Sequence, residues 1–217
     1  MKPLSIARVR SALVVAPHAD DETIGAYGLI RALTGRGARV TVAVVTDGAG
    51  SHPNSIRWRR PRLVAARRRE TLEAMHRIGV PAGRVVFLGL PDGALPALAV
   101  PLRRTLARLV RRHRELDLLI GPARDDDHPD HRAIAQGLPQ TGARRLEYLV
   151  WPNRQSASAA ATHWLRLGGL AAAKRGAIGR YRTQTGTITD DPGGFTMSRQ
   201  ERARFARPVE LFRDRRV

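Results

Sequence analysis

The chain of 217 residues contains no cysteine, which excludes disulfides, thiolate nucleophiles and sulfur-bound metals. Any metal must therefore sit on histidine and carboxylate. Aromatic residues are scarce at 5%, and few lie among the basic runs, which argues against a surface that stacks on bases. Acids are also short, 19 against 38 Lys and Arg, for a net charge of +19 and a sequence pI near 11.8. No apolar run approaches the roughly 18–20 residues of a membrane helix. The N-terminal MKPLSIARVR lacks the apolar stretch of a secretory signal. The expectation is a cytoplasmic protein with no transmembrane segment.

What is present in excess is arginine. The runs RRPR (59–62), RRR (67–69) and RRHR (111–114) fall on different expected elements. Charge spread in this way predicts attraction to anions, nucleic acid included, without sequence preference. It leaves room for a homo-oligomer.

Apolar residues make up 42% of the chain, enough for a substantial core. Short apolar runs at 11–16, 39–46, 85–90, 116–122 and 146–151 read as strands, with a sixth at 162–167. Helical spacing at 21–36, 61–79, 99–115, 131–137 and 169–182 separates them. This alternation predicts an α/β, Rossmann-like fold: a mostly parallel sheet of five to six strands with helices on both faces. The chain reads as a single domain over 1–217, with an irregular basic tail at 186–217. In such sheets ligands bind beyond the carboxyl ends of the strands, where strand order reverses. With order 3-2-1-4-5, the first and fourth strands are neighbours there.

Both of those strand ends carry chemistry. VVAPHADDETIG (14–25) puts His18, Asp20, Asp21 and Glu22 directly after the first strand, and DDDHPDH (125–131) follows the fourth. Topology brings His18, Asp20 and Asp21 beside His128 and His131. Two imidazoles and one carboxylate with an open position form a hydrolytic zinc site, and nitrogen and oxygen ligands also accept ferrous iron or cobalt. A remaining carboxylate can serve as general base and a remaining histidine as acid or oxyanion stabiliser. Asp20 or Asp21 could instead cap the following helix, a role that suffices for Glu22. Asp125, Asp126 and Asp127 are suited to orienting the histidines. A dinucleotide site would need glycines where these acids stand.

These motifs resemble the PIG-L/LmbE-like family of zinc-dependent de-N-acetylases. APHADDE stands where the family has roughly AHPDDE, with Ala19 in place of proline, and HPDH (128–131) is intact. Arg67 with Glu70 and IGV (78–80), FLGLPDG (87–93), and the series Lys174, Ala177, Ile178, Tyr181, Gln184 add to the likeness, which covers about 11–185. The resemblance implies His18, Asp21 and His131 as zinc ligands. It implies Asp20 as the base that activates water, and His128 as the group that stabilises the oxyanion or assists the departing amine. The implied substrate is an N-acetylated amino sugar of GlcNAc type or its conjugate. A non-sugar or thiol-conjugate amide is the alternative substrate. A non-catalytic anion- or nucleic-acid-binding protein is the alternative of another class. Where many members have T-x-G-E after the second strand, this chain has Thr46-Asp47-Gly48-Ala49. Ser51, His52 and Asn54 stand near enough in sequence to take over substrate contacts.

Three residues have two readings each. Arg67 lies on an inward helical stripe, either as a clamp on a substrate oxygen or phosphate or as partner to Glu70. Asp92 is a turn residue or an acceptor for a sugar hydroxyl. Trp151 stacks on a sugar or fills the core.

Overall fold

The computed structural model describes residues 1–151 and 161–215. Its strands are β1 (Lys2–Pro3), β2 (Ser11–Ala16), β3 (Arg39–Thr46), β4 (Val85–Leu90), β5 (Leu118–Pro122), β6 (Arg144–Tyr148), β7 (His163–Arg166) and β8 (Val209–Arg215). They form one sheet in the order β1-β7-β8-β6-β5-β2-β3-β4. From β4 to β6 every pairing is parallel, which is the expected 3-2-1-4-5 order, and β8 runs antiparallel to both β6 and β7.

The helices are α1 (Asp21–Gly35), α2 (Arg60–Arg77), α3 (Ala99–Arg111), α4 (Pro129–Gly137), α5 (Leu170–Ile178) and α6 (Arg199–Phe205). One sheet face sends Val14, Val40 and Val42 into a core with α1, α2 and α5. The other sends Leu13, Val15, Ala43 and Val45 against Leu102 and Leu106 of α3 and Ile134 of α4. β2 is buried along its whole length, as a parallel strand covered on both sides must be.

The sheet has eight strands rather than five to six, and the tail at 186–217 is not irregular. It contains α6 and β8, and β8 sits inside the sheet. VELFRDR hid its strand character because charged residues interrupt the apolar alternation. Their charges are met internally: Glu210 pairs with Lys174 at 2.8 Å and Asp214 with Arg144 at 3.0 Å. The strand expected at 146–151 ends at Tyr148. Beyond it the backbone turns to the loop after β5, where the Trp151 N–H donates to Asp126 and its carbonyl accepts from the Asp127 N–H.

Helix α1 is kinked at Ala26, which has φ −143° and ψ 19°. The kink frees backbone donors in mid-helix. Glu210 accepts two of them, from Gly28 at 2.9 Å and Leu29 at 3.1 Å, so a carboxylate caps the helix where it restarts. Gly28 leaves room for both neighbours, because a Cβ there would stand 3.2 Å from the Glu210 carboxylate and 2.0 Å from the Leu167 side chain.

Candidate active site

The turn between β2 and α1 sets the site. His18 and Asp21 fold toward each other, with Asp21 Oδ2 accepting from the His18 backbone N–H at 2.9 Å and lying 3.2 Å from His18 Nδ1. From the start of α4, His131 brings Nε2 to 3.1 Å from the same oxygen. The three rings of His18, His128 and His131 lie with centroids 4.7–5.4 Å apart.

His131 is fully buried, and neither of its ring nitrogens makes an aligned hydrogen bond. Nδ1 stands 3.2 Å from Asp126 and Nε2 faces Asp21. A buried ring set between two carboxylates needs either a proton on each nitrogen or a cation at Nε2. A divalent metal among His18, Asp21 and His131 fits that requirement, and the donor set is nitrogen and oxygen only. Among the described residues, the sets whose three ligand atoms lie within 4.8 Å of one another are His18, His128, His131 and His18, Asp92, Asp130. Burial disfavours the His131 imidazolium, but Asp21 and Asp126 outweigh it and raise its pKa to about 9. Asp21 is held well below the carboxylate range: burial opposes this, and the two histidines more than compensate.

Asp20 stands in the N-cap position of α1, yet its side chain makes no capping bond. Its φ is 126°, the one positive value at a non-glycine residue among those described. Its carbonyl accepts from Thr23 and Ile24 and starts the helix, while its N–H donates to Glu22 at 3.1 Å. The carboxylate is thereby left to the cavity. Burial, reinforced by Asp21, raises its pKa well above normal, with Arg67 pulling the other way.

Glu22 does more than cap. It is fully buried, accepts the Asp20 N–H and a short hydrogen bond from the Tyr181 hydroxyl, and is raised by burial to about pKa 7. Tyr181, just beyond α5, thus props the first motif.

His128 accepts the Asp130 backbone N–H on Nδ1 at 3.2 Å, which leaves Nε2 as the protonated nitrogen of a neutral ring. Burial, then His18 and His131, lowers its pKa. Asp130, unremarked in the HPDH motif, lies 3.4 Å from His18 Nε2 and accepts from the Gly93 and Leu95 N–H groups. Asp92 reaches the same His18 nitrogen at 2.9 Å and accepts from Gly50. It thus belongs to the site; burial would raise its pKa, but His18 draws it down to about 2. Of the acids in 125–127, Asp126 meets His131 and holds the His128 N–H, whereas Asp125 pairs with Arg213.

Arg67 is 3% exposed and does not pair with Glu70, which is bonded to Thr183 instead. Its two terminal nitrogens donate to the carbonyls of Gly48 and Ala19, both at 2.9 Å, and one lies 3.9 Å from Asp20.

His18, Asp20, Asp21, Arg67, Asp92 and His128 line a cavity of about 210 Å³ together with Ser51, Gln184, Trp151, Phe195 and Met197, while His131, Glu22, Asp126 and Asp130 stand behind it. His52 and Asn54 do not line it. His52 is buried against Gly194, and the Asn54 N–H is tied to Asp191. Gln184 belongs to the series from Lys174 that carries the family likeness, but Phe195 and Met197 carry no signal in a stretch that reads as irregular.

A family profile described as PIG-L: GlcNAc-PI de-N-acetylase matches residues 13–141. No curated protein sequence matches the chain. Among solved structures, the fold is similar to N,N'-diacetylchitobiose deacetylase from Pyrococcus horikoshii, at 21% identity and TM-score 0.74, over 96% of this chain and 84% of that one. It is similar to the deacetylase of teicoplanin biosynthesis at 19% identity and TM-score 0.62, over 81% and 85%. It also resembles GalB, the 4-carboxy-2-hydroxymuconate hydratase of Pseudomonas putida KT2440, at 18% identity and TM-score 0.59, over 96% and 98%. At these identities the likenesses speak to fold alone.

Proposed function

Because the chain belongs to the PIG-L family of GlcNAc-PI de-N-acetylases, we propose that it is a metal-dependent hydrolase that removes the acetyl group from an N-acetylated amino sugar. The observation that carries this reading is the convergence of His18, Asp21 and His131, whose Nε2 lies 3.1 Å from Asp21, beside a cavity that also holds Asp20 and His128. Zinc is the metal the donor set favours, with ferrous iron or cobalt able to replace it. Bound by His18, Asp21 and His131, it would supply Lewis-acid polarisation of the amide carbonyl and lower the pKa of water.

The protein's own groups do the rest. Asp20 takes the proton of the attacking water and delivers it to the leaving nitrogen. Its raised pKa suits a carboxylate that must hold a proton between two steps. His128, neutral and protonated on Nε2, donates toward the developing oxyanion without the cost of burying a further charge. Asp92 and Asp130 accept from His18 Nε2 and fix its tautomer, leaving Nδ1 to face Asp21. Arg67 pins the carbonyls on either side of the cavity and so holds the Asp20 turn.

The deacetylases among similar folds support this reading, while the hydratase shows that the fold serves other water chemistry. The test is amine release from a panel of N-acetyl amino sugars by zinc-loaded protein, with Asp20→Asn alongside. Release that falls by roughly 10²–10⁴ in the variant, metal retained, is expected. Absence of amine from every sugar in the panel, with metal bound, would sink the proposal.

A further inference from the structure

Resting on the deacetylase reading, we infer that the sugar this site takes carries an apolar aglycone rather than a phosphate. The inference comes from how the cavity divides. Its floor is polar, made by His18, Asp20, Asp21, Asp92 and His128. One wall is not, being built from Trp151, Phe195 and Met197.

That wall is assembled deliberately. Trp151 meets Phe205 edge-on at 5.2 Å and Phe195 edge-on at 6.0 Å, geometries in which aromatic rings attract one another. Its N–H is held by Asp126, the carboxylate that also faces His131, so the wall is fixed to the reacting centre. Phe195 is anchored by its N–H to the Ser51 carbonyl at 2.7 Å, and Met197 by its N–H to Gln184 at 2.8 Å. Phe195 nevertheless stays 37% exposed, one of few large apolar side chains that do among the described residues. A ring held in place by its backbone, lining a cavity and left partly exposed, is a surface for a ligand.

The side chains offer the other aglycone little. Three carboxylates line the cavity against one arginine. The terminal nitrogens of that arginine are already given to Gly48 and Ala19. Little of the fork that recognises phosphate faces the cavity, because Arg67 is 3% exposed and each terminal nitrogen has one N–H on a carbonyl, and a phosphate on the sugar would also lie against Asp20 and Asp92. At about 210 Å³ the cavity is below the roughly 300–1,000 Å³ of a site that engulfs a larger ligand. It holds one sugar, with the aglycone leaving along Phe195.

The experiment compares N-acetylglucosamine, its octyl β-glycoside and its 1-phosphate. Amine release gives kcat/KM, and calorimetry on Asp20→Asn gives binding without turnover. The octyl glycoside should exceed both others by about tenfold or more in kcat/KM and in affinity, the weight of a few methylenes on an apolar wall. Phe195→Ala should bring the octyl-to-free-sugar ratio below about threefold; because it is a ratio, any general loss of folding cancels. A phosphate equal to or better than the octyl glycoside, or a ratio unmoved by Phe195→Ala, overturns the inference. If no substrate releases amine but the octyl glycoside still binds preferentially, the wall stands and the deacetylase reading fails. If neither sugar nor glycoside binds, both fail.

Discussion

The backbone of Asp20 allows one prediction to be worked through. At φ 126° a residue with a Cβ carries strain of about 1–3 kcal/mol. Glycine at the same place would be free of it and would lose about 0.5–1 kcal/mol more chain entropy on folding. Asp20→Ala keeps the Cβ and removes the carboxylate; Asp20→Gly removes both. The two variants share every other loss, including the 3.9 Å approach to Arg67 and the crowding by Asp21 and Glu22. The glycine variant should therefore be more stable than the alanine variant by about 1 kcal/mol, the reverse of the order seen in ordinary helix and strand positions. For a chain of this length that is about 2–4 °C in Tm. Parallel thermal melts in chelator and in zinc would read it, and both variants should be inactive. An alanine variant as stable as the glycine one, or more so, would mean that the turn stores no strain and that Asp20 is not held against its own preference.

Three further outcomes follow from the contacts described. His131, raised to about pKa 9 by Asp21 and Asp126 against the effect of burial, must lose a proton to bind metal. His18 must do the same, because burial opposes its charged form but Asp130, Asp21 and Asp92 raise its pKa well above the ordinary value. Chelator-treated protein should therefore release about two protons on taking up zinc near neutral pH, and its zinc affinity should fall with acidification; calorimetric heats that do not vary between buffers of different ionisation enthalpy would contradict this. The His131 imidazolium itself adds stability to chelated protein that is complete below its normal value of 6.5 and lost as pH rises through about 9. Lys174→Met leaves Glu210 buried without its cation and should cost about 3–5 kcal/mol in urea unfolding, with Lys174→Met/Glu210→Gln recovering part of it; a cost below about 1 kcal/mol would show the pair to be solvated. Arg67→Lys replaces a fork that holds two carbonyls by a single ammonium, so kcat should drop by about 10–100-fold, and equally for neutral and phosphate-linked sugars. A loss confined to the phosphate-linked one would restore the substrate-clamp role.

The parallel half of the sheet was legible because each strand is a short apolar run closed by Gly, Pro or acids, and β2, β3 and β4 keep those bounds to the residue. The convergence of the two motif loops followed from strand order alone. What escaped was whatever depends on charges being satisfied at a distance. Glu210 and Asp214 disguise β8, because their partners Lys174 and Arg144 lie 36 and 70 positions away. Glu22 read as a surface cap because nothing local announces Tyr181 as its donor. The wall of Phe195 and Met197 has no periodicity at all. Its backbone is held by single bonds to Ser51 and Gln184, and such bonds leave no trace in sequence.

The restart of α1 at its kink has a consequence for biosynthesis. The carboxylate that caps it arrives 182 positions later, and the hydroxyl that props Glu22 arrives 159 positions later. At about 5–20 residues per second, ribosomes expose the first helix some 10–35 s before either partner exists. During that interval His18, Asp20 and Asp21 belong to a nascent segment with no fixed geometry, free to pick up any passing cation in a wrong arrangement. Correct loading is therefore an event that follows synthesis of Tyr181 and Glu210, and expression in excess metal should yield a mis-metallated fraction that chelation and reconstitution of the folded protein repair.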